Sequence, residues 1–159
     1  PEAVHYASLI HAKGCVQRDL AGARALFDSV LSPNHPDKVR VQPCLYQALF
    51  EAMVANHAVA ATDELLPTMA ARGVEFTPYI ANTLIHGWAA EGNIARARAV
   101  YDQLGADKRE PSTYEAMTRA YLAVDDRASA AEVVREMLTR GYPAAVATKI
   151  VELVGGYPY

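Results

Sequence analysis

The sequence has few cysteines, no long apolar run and no excess of positive charge. Its two cysteines, Cys15 and Cys44, lie far apart and match no metal-ligand spacing, so we expect free, partly buried thiols rather than a disulfide. No apolar stretch approaches the roughly 18 residues that a membrane-spanning helix needs. The formal net charge of -3 argues against a strongly basic nucleic-acid clamp.

Motifs for catalysis and metal binding are missing as well. The five histidines show no H-E-x-x-H or comparable ligand spacing, and no phosphate-cradling glycine loop or Ser-His-Asp order is present. We therefore expect no catalytic centre, metal or cofactor, and we predict that the chain is not an enzyme. Because the first residue is proline, we expect a fragment of a longer protein, whose targeting segment lies outside the 159 residues.

What the sequence does contain is a repeated pair of amphipathic helices, clearest between Tyr79 and Ser112. The first helix of this pair carries a large apolar residue at every fourth position: Ile80, Leu84 and Trp88. The second carries a stripe at spacings of three and four: Ile94, Ala97, Tyr101 and Leu104. Gly92 and Asn93 stand between them and are typical of a helix end and a helix N-cap.

The same pattern occurs four times, with a period near 35 residues. The first helices carry a leading residue, which is Leu9, Leu49, Leu84 or Met117. Each second helix carries a small residue and two larger ones: Ala23/Phe27/Val30, Thr62/Leu66/Met69, Ala97/Tyr101/Leu104 and Ala130/Val134/Met137. The spacing from leading to small residue is 14, 13, 13 and 13, and successive small residues lie 39, 35 and 33 apart. Such regularity predicts an all-α solenoid of helix-turn-helix repeats.

Within this solenoid we predict repeats at about 4–43, 44–77, 78–111 and 112–143, with at least eight helices paired as antiparallel hairpins. The apolar helix 144–154 is either a cap or the first half of a fifth copy. The extra residue of the first copy is placed in the turn from Gly14 to Leu20. Pro67 is expected to kink the second helix of the second copy, because it removes a helical hydrogen bond.

The repeats resemble the pentatricopeptide repeat family more than the tetratricopeptide family. Four stretches carry the resemblance: Tyr6-Ala-Ser-Leu9-Ile10, Asn82-Thr83-Leu84-Ile85-His86-Gly87, Met69 and Gly73 with Pro78, and Met137 and Gly141 with Pro143. The resemblance implies a right-handed superhelix that binds single-stranded RNA along a concave face lined by the first helices, about one nucleotide per repeat. It also implies work in organelles, here the mitochondrial matrix, in RNA processing, stability or translation.

In that family base choice depends on two positions of each repeat. Mapped onto this sequence, the pairs are Ala7 with Cys44, Gln47 with Thr77, Asn82 with Ser112, and Glu115 with Ala145. The side chains with suitable donors and acceptors are therefore predicted to bind RNA, together with two nearby basic groups. These predicted RNA-binding residues are Gln47, Thr77, Asn82, Ser112, His86 and Arg119.

Three functions compete on the sequence alone. RNA binding leads, although we expect it to be weak for this segment, since Lys13 and Arg119 on the predicted face are offset by Glu51 and Glu115. The acidic balance favours the second function, a protein-binding scaffold for assembly of a mitochondrial complex. The third is an enzyme whose catalytic domain lies outside this stretch. Trp88 either stacks on a base or, as we favour, belongs to the core between repeats.

Overall fold

The computed structural model describes residues 2–36 and 38–157, and over these residues it contains nine α-helices and no strand. The helices are α1 (Ala3–His11), α2 (Leu20–Leu31), α3 (Pro43–Ala55), α4 (Leu66–Ala71), α5 (Pro78–Ala90), α6 (Ile94–Leu104), α7 (Pro111–Ala123), α8 (Arg127–Leu138) and α9 (Ala144–Leu153). A π-helical turn, Ala12–Val16, continues α1, and 3-10 segments cover Val59–Glu64 and Ala106–Lys108. The all-α helical-repeat prediction is confirmed.

The chain divides into two compact units, residues 1–83 and residues 84–159, and each is described by itself. In the first unit α1 packs against α2 and α3; in the second, α7 packs against α8 and α9. In the second unit α9 contacts α7 and α8 as α3 contacts α1 and α2 in the first, and its assignment as a cap or as the first half of a fifth copy stays a prediction. The repeat boundaries at 4–43, 44–77, 78–111 and 112–143 stay a prediction.

Three hairpins, α1–α2, α5–α6 and α7–α8, close through turns of the same design. The middle residue of each turn has a positive φ: Arg18 at 57°, Gly92 at 76° and Asp125 at 59°. The last residue of each turn caps the next helix by accepting a hydrogen bond from a backbone N–H three residues on: Asp19 at 2.8 Å, Asn93 at 3.1 Å and Asp126 at 3.1 Å. The predicted roles of Gly92 and Asn93 are confirmed.

The extra residue of the first copy lies in a π turn, Ala12–Val16, which extends its first helix and overlaps the start of the predicted stretch from Gly14 to Leu20. The other three first helices each have 13 residues, whereas α1 has nine and continues into five residues of π-helix. A π turn accommodates one additional residue in a helix and leaves the next turn of chain unaltered. A Cβ at Gly14 would lie 2.2 Å from the Cβ of Ala52, so only glycine allows this approach to α3. Asn56 donates to the Gly14 carbonyl at 2.9 Å.

The second helix of the second copy also differs from the expectation. Pro67 lies in the first turn of α4, after the 3-10 segment, where its missing N–H costs no helical hydrogen bond. It therefore begins a helix rather than kinking one. The break changes the helical phase, so that Leu65 is buried and Leu66, the predicted core residue, is half-buried.

Most other residues of the predicted apolar stripes belong to the two cores, while Ile94 is half-buried. Thr62, Met69, Ala97 and Tyr101 are all buried. Leu9 is an exception, since it is 53% exposed while its neighbour Ile10 is fully buried. The helices that α1 contacts, α2 and α3, leave this part of its surface uncovered.

Each unit carries a buried tyrosine on a first helix that packs edge-on against an aromatic ring of the preceding second helix. Tyr46 meets Phe27 at 5.1 Å between ring centroids, and its hydroxyl lies 3.1 Å from the Thr68 hydroxyl. Tyr114 meets Tyr101 at 6.1 Å. Its hydroxyl is buried and has no hydrogen-bond partner among the described residues.

A partly buried ion pair lies beside this second tyrosine cluster. The Arg109 guanidinium bonds to the Glu136 carboxylate, stacks 3.7 Å above the Tyr101 ring and donates to the Tyr101 carbonyl at 3.0 and 3.2 Å. The Tyr101 hydroxyl donates to Glu136 at 2.9 Å, and burial raises the pKa of Tyr101, so this hydroxyl stays a donor. These contacts connect the loop before α7 to both α6 and α8.

Candidate functional site

A groove of about 360 Å³ runs between α1 and α3 in the first unit, and we name it the α1/α3 groove. Its walls are Val4, Ala7, Ser8 and His11 on one side and Cys44, Gln47, Ala48 and Glu51 on the other. The space exists because the two helices meet through small side chains, Ala7 and Ala48, which are both buried. The groove contains Ala7 and Cys44, one of the predicted pairs, and Gln47 from another.

Three polar side chains lie close together in this groove. The Gln47 amide donates from Nε2 to Glu51 Oε1 at 3.1 Å. On the facing helix, His11 Nε2 lies 3.6 Å from Glu51 Oε2. Glu51 is one-third exposed, so its carboxylate is accessible from the groove. Sequence reasoning missed His11 and placed Glu51 on the predicted face only as an opposing charge, although the four-residue spacing of Gln47 and Glu51 places them one helical turn apart.

The corresponding groove of the second unit, the α7/α9 groove, has a volume of about 410 Å³. Its lining is Pro111, Ser112, Glu115, Ala145, Val146, Lys149 and Ile150. It contains Glu115 and Ala145, another predicted pair, as well as the exposed Ser112. Lys149 was not anticipated, because Ala145 was the one residue of α9 mapped to a base-reading position. The walls of this groove are more apolar than those of the α1/α3 groove.

His86 and Arg119 come together near Glu115 on the second unit. Arg119 Nε lies 3.7 Å from Glu115 Oε2. Partial burial lowers the pKa of His86, the Glu115 carboxylate opposes that shift, and the Arg119 charge adds to it. His86 is therefore neutral at pH 7, so at that pH it offers hydrogen bonds but no charge to a ligand.

The remaining predicted residues are more deeply engaged in the fold. Asn82, in the first unit, is only 9% exposed. The Thr77 hydroxyl accepts a hydrogen bond from the Ile80 N–H at 3.1 Å, so it caps α5, and it is not among the described residues that line the α1/α3 groove. Trp88 is 7% exposed beneath the Arg96 guanidinium, 4.3 Å from the ring centroid, which agrees with the core interpretation.

Cys15 and Cys44 are both free and half-buried, as predicted. Burial is the main cause that raises the pKa of each thiol. Both sulfurs are therefore protonated at neutral pH, which lowers their reactivity as nucleophiles.

No family profile matches the chain. Among curated proteins, the chain is 33% identical over 157 residues to "Pentatricopeptide repeat-containing protein 5, mitochondrial" of Schizosaccharomyces pombe. The match covers 97% of this chain but 12% of the relative, so the chain spans about an eighth of that protein's length. Across residues 2–36 and 38–157, none of the helices combines the length and apolar character that crossing a membrane requires.

Proposed function

Because this chain belongs to the pentatricopeptide repeat family, we propose that it binds single-stranded RNA in mitochondria and acts in the processing, stability or translation of mitochondrial transcripts. The observation that supports this most is the pair of grooves between helices that pack side by side. Each groove carries a polar side chain at a family base-reading position, Gln47 in one and Ser112 in the other. Single-stranded RNA is read by contacts of this kind, between side chains and the edges of unstacked bases.

Charge sets the expected strength of this binding. The α1/α3 groove contains the Glu51 carboxylate beside His11, and the α7/α9 groove contains Glu115 beside Lys149. Affinity from backbone contacts scales with the number of phosphates that cations neutralise. We therefore propose weak binding by this segment alone, with a shallow dependence on salt.

Base preference is proposed to depend on Asn82 with Ser112 and on Gln47 with Thr77, with His86 and Arg119 as further contacts. A titration with a randomised RNA pool at two salt concentrations tests this for the wild type, Asn82→Ala and Ser112→Ala. Loss of one base contact should relax preference at one nucleotide, at about 1–3 kcal/mol. Because Asn82 is buried, thermal unfolding of each variant is the control, and the exposed Ser112 provides a variant that does not disturb the core.

A protein-binding scaffold for assembly of a mitochondrial complex is the second candidate. The apolar walls of the α7/α9 groove, which include Val146 and Ile150, favour it. Absence of RNA binding by every variant at low salt would reject the RNA function for this segment. Recovery of a defined mitochondrial protein whose binding is lost when residues of the α7/α9 groove are substituted would then support the scaffold function.

A further inference from the structure

We propose that Glu51 is a positioning residue that fixes the Gln47 amide, so that the α1/α3 groove selects a guanine base. The inference rests on the RNA-binding function proposed above and names the base that one of its grooves takes. It assigns a role to Glu51, which lies one helical turn beyond the family position occupied by Gln47.

The orientation of the Gln47 amide follows from the chemistry of its partner. An ionised carboxylate accepts hydrogen bonds and has none to donate, so the atom of Gln47 that faces Glu51 is the NH₂ group. The 3.1 Å contact between Nε2 and Oε1 agrees with this assignment. Gln47 therefore retains its carbonyl oxygen, an acceptor, for a ligand in the groove that it lines.

Glu51 also has a neighbour on the facing wall. His11 Nε2 lies 3.6 Å from Oε2, while Gln47 engages Oε1. Each carboxylate oxygen has two lone pairs, so both keep acceptor capacity after these contacts. With one-third of its side chain exposed, Glu51 can present that capacity to a base. A ligand in this groove thus meets two neighbouring acceptors, one from Gln47 and one from Glu51.

Two adjacent acceptors match one base better than the others. The Watson–Crick edge of guanine presents two neighbouring donors, N1–H and the N2 amino group. Adenine and cytosine each pair one amino donor with a ring-nitrogen acceptor, and the single N3–H of uracil lies between two carbonyl oxygens. Because proteins read unpaired bases along this edge, the groove discriminates in favour of guanine.

The test compares three carboxylate or amide variants of the 159-residue chain on randomised RNA octamers at low salt. Glu51→Gln keeps the shape of the side chain but adds a donor and frees the Gln47 amide to rotate. Gln47→Ala removes the other acceptor. Glu64→Gln is the matched control, since Glu64 is exposed on the 3-10 segment of the same unit and its substitution changes the net charge equally.

We expect the wild type and Glu64→Gln to enrich guanine at one position of the bound octamers. Glu51→Gln and Gln47→Ala should each reduce that enrichment by about tenfold, the scale of one good base contact. Because a surface pair that only stabilised α3 would change thermal unfolding and not base choice, the enrichment itself separates positioning from helix support.

Several results would overturn the inference. If Glu51→Gln raised affinity for all octamers equally, as Glu64→Gln would, Glu51 would act only through its charge. If the wild type bound RNA without guanine enrichment at any position, the groove would not select this base, although RNA binding would stand. If the wild type bound no octamer, the proposed RNA function would fail and this inference with it.

Discussion

The α1/α3 and α7/α9 grooves arise from the same helix packing but differ in chemistry. Each lies between two helices that pack side by side, yet the first is lined by His11, Gln47 and Glu51 while the second has apolar walls between Glu115 and Lys149. The repeated backbone therefore provides the space, and a few side chains one helical turn apart decide what enters it. A ligand that suits one groove need not suit the other.

The contacts that stabilise the two units also differ. In the first unit the Tyr46 hydroxyl meets Thr68, and the close contact of the π turn with α3 depends on Gly14. In the second unit a charged pair, Arg109 with Glu136, lies beside the tyrosine cluster. The first unit should therefore be most sensitive to added volume and the second to a lost charge.

The largest effect on stability is expected from Glu136→Ala, which would remove the ion pair between Arg109 and Glu136. The Arg109 side chain is only 8% exposed, so the variant removes the nearer carboxylate of a buried cation and leaves Asp102 Oδ1 at 3.9 Å. We expect a loss of about 3 kcal/mol in the free energy of unfolding, measured by urea denaturation. Glu132→Ala, at an exposed position of the same helix, is the control and should change stability little. A double variant, Arg109→Met with Glu136→Leu, should recover most of the loss, and failure of Glu136→Ala to destabilise would contradict a structural role for the pair.

Gly14→Ala should destabilise the first unit by overpacking the contact between the π turn and α3. Its new Cβ would lie 2.2 Å from the Ala52 Cβ, and the backbone of the π turn or of α3 must move to relieve that contact. The expected loss is about 1–3 kcal/mol in the free energy of unfolding. Ala52→Gly removes the clashing atom, so the double variant should be more stable than Gly14→Ala alone. Equal stabilities of the two would show that α3 is not the obstacle.

Glu115→Ala would sharpen the comparison between the grooves. It removes the one carboxylate among the described residues that line the α7/α9 groove, and it releases Arg119 from its ion pair. Affinity for single-stranded RNA at low salt should rise about threefold, with no change in base preference at the α1/α3 groove. Glu152→Ala, on the exposed surface of α9, is the charge-matched control. A fall in affinity, measured by fluorescence anisotropy, would indicate that Glu115 contacts a base.

The smallest effect concerns His86. Its pKa in the folded chain is lowered, chiefly by desolvation, so the unfolded chain binds more protons over the pH range between the two pKa values. Stability should consequently fall as the pH drops below the unperturbed value of 6.5, while RNA affinity rises as His86 gains charge beside Arg119 and Glu115. Comparing about pH 7.5 with about pH 5.5 tests both changes, which His86→Gln should reduce. A variant with the same pH dependence as the wild type would assign the effect to another group.

Structural features that depend only on a few neighbouring residues could be predicted from the sequence. Gly92 and Asn93 were assigned correctly because an N-cap and a left-handed residue need only the adjacent turn. Leu66 was assigned to the core wrongly, because the helical phase there depends on a 3-10 segment that apolar spacing does not reveal. The π turn escaped prediction since the contact of Gly14 with Ala52 that accompanies it joins parts of the chain far apart in sequence.

Less of the candidate site than of the fold could be predicted from the sequence. Family positions identified Gln47 and Ser112, which line the two grooves. They could not show that Thr77 caps a helix, or that His11 on another helix meets Glu51, because both depend on tertiary geometry. The four-residue spacing from Gln47 to Glu51 was the one available sign of a polar partner.

The shared turn design has a consequence for how such a chain can grow. A left-handed residue followed by a capping residue ends one helix and starts the next using atoms of that hairpin alone. A duplicated hairpin therefore contains the residues that form its own turn, and it needs no compensating substitution elsewhere in the chain. Length changes are tolerated where they leave this bend intact, as the additional residue in the π turn and the long connection between α2 and α3 illustrate. Substitutions of groove residues can then change the binding properties of each repeat separately.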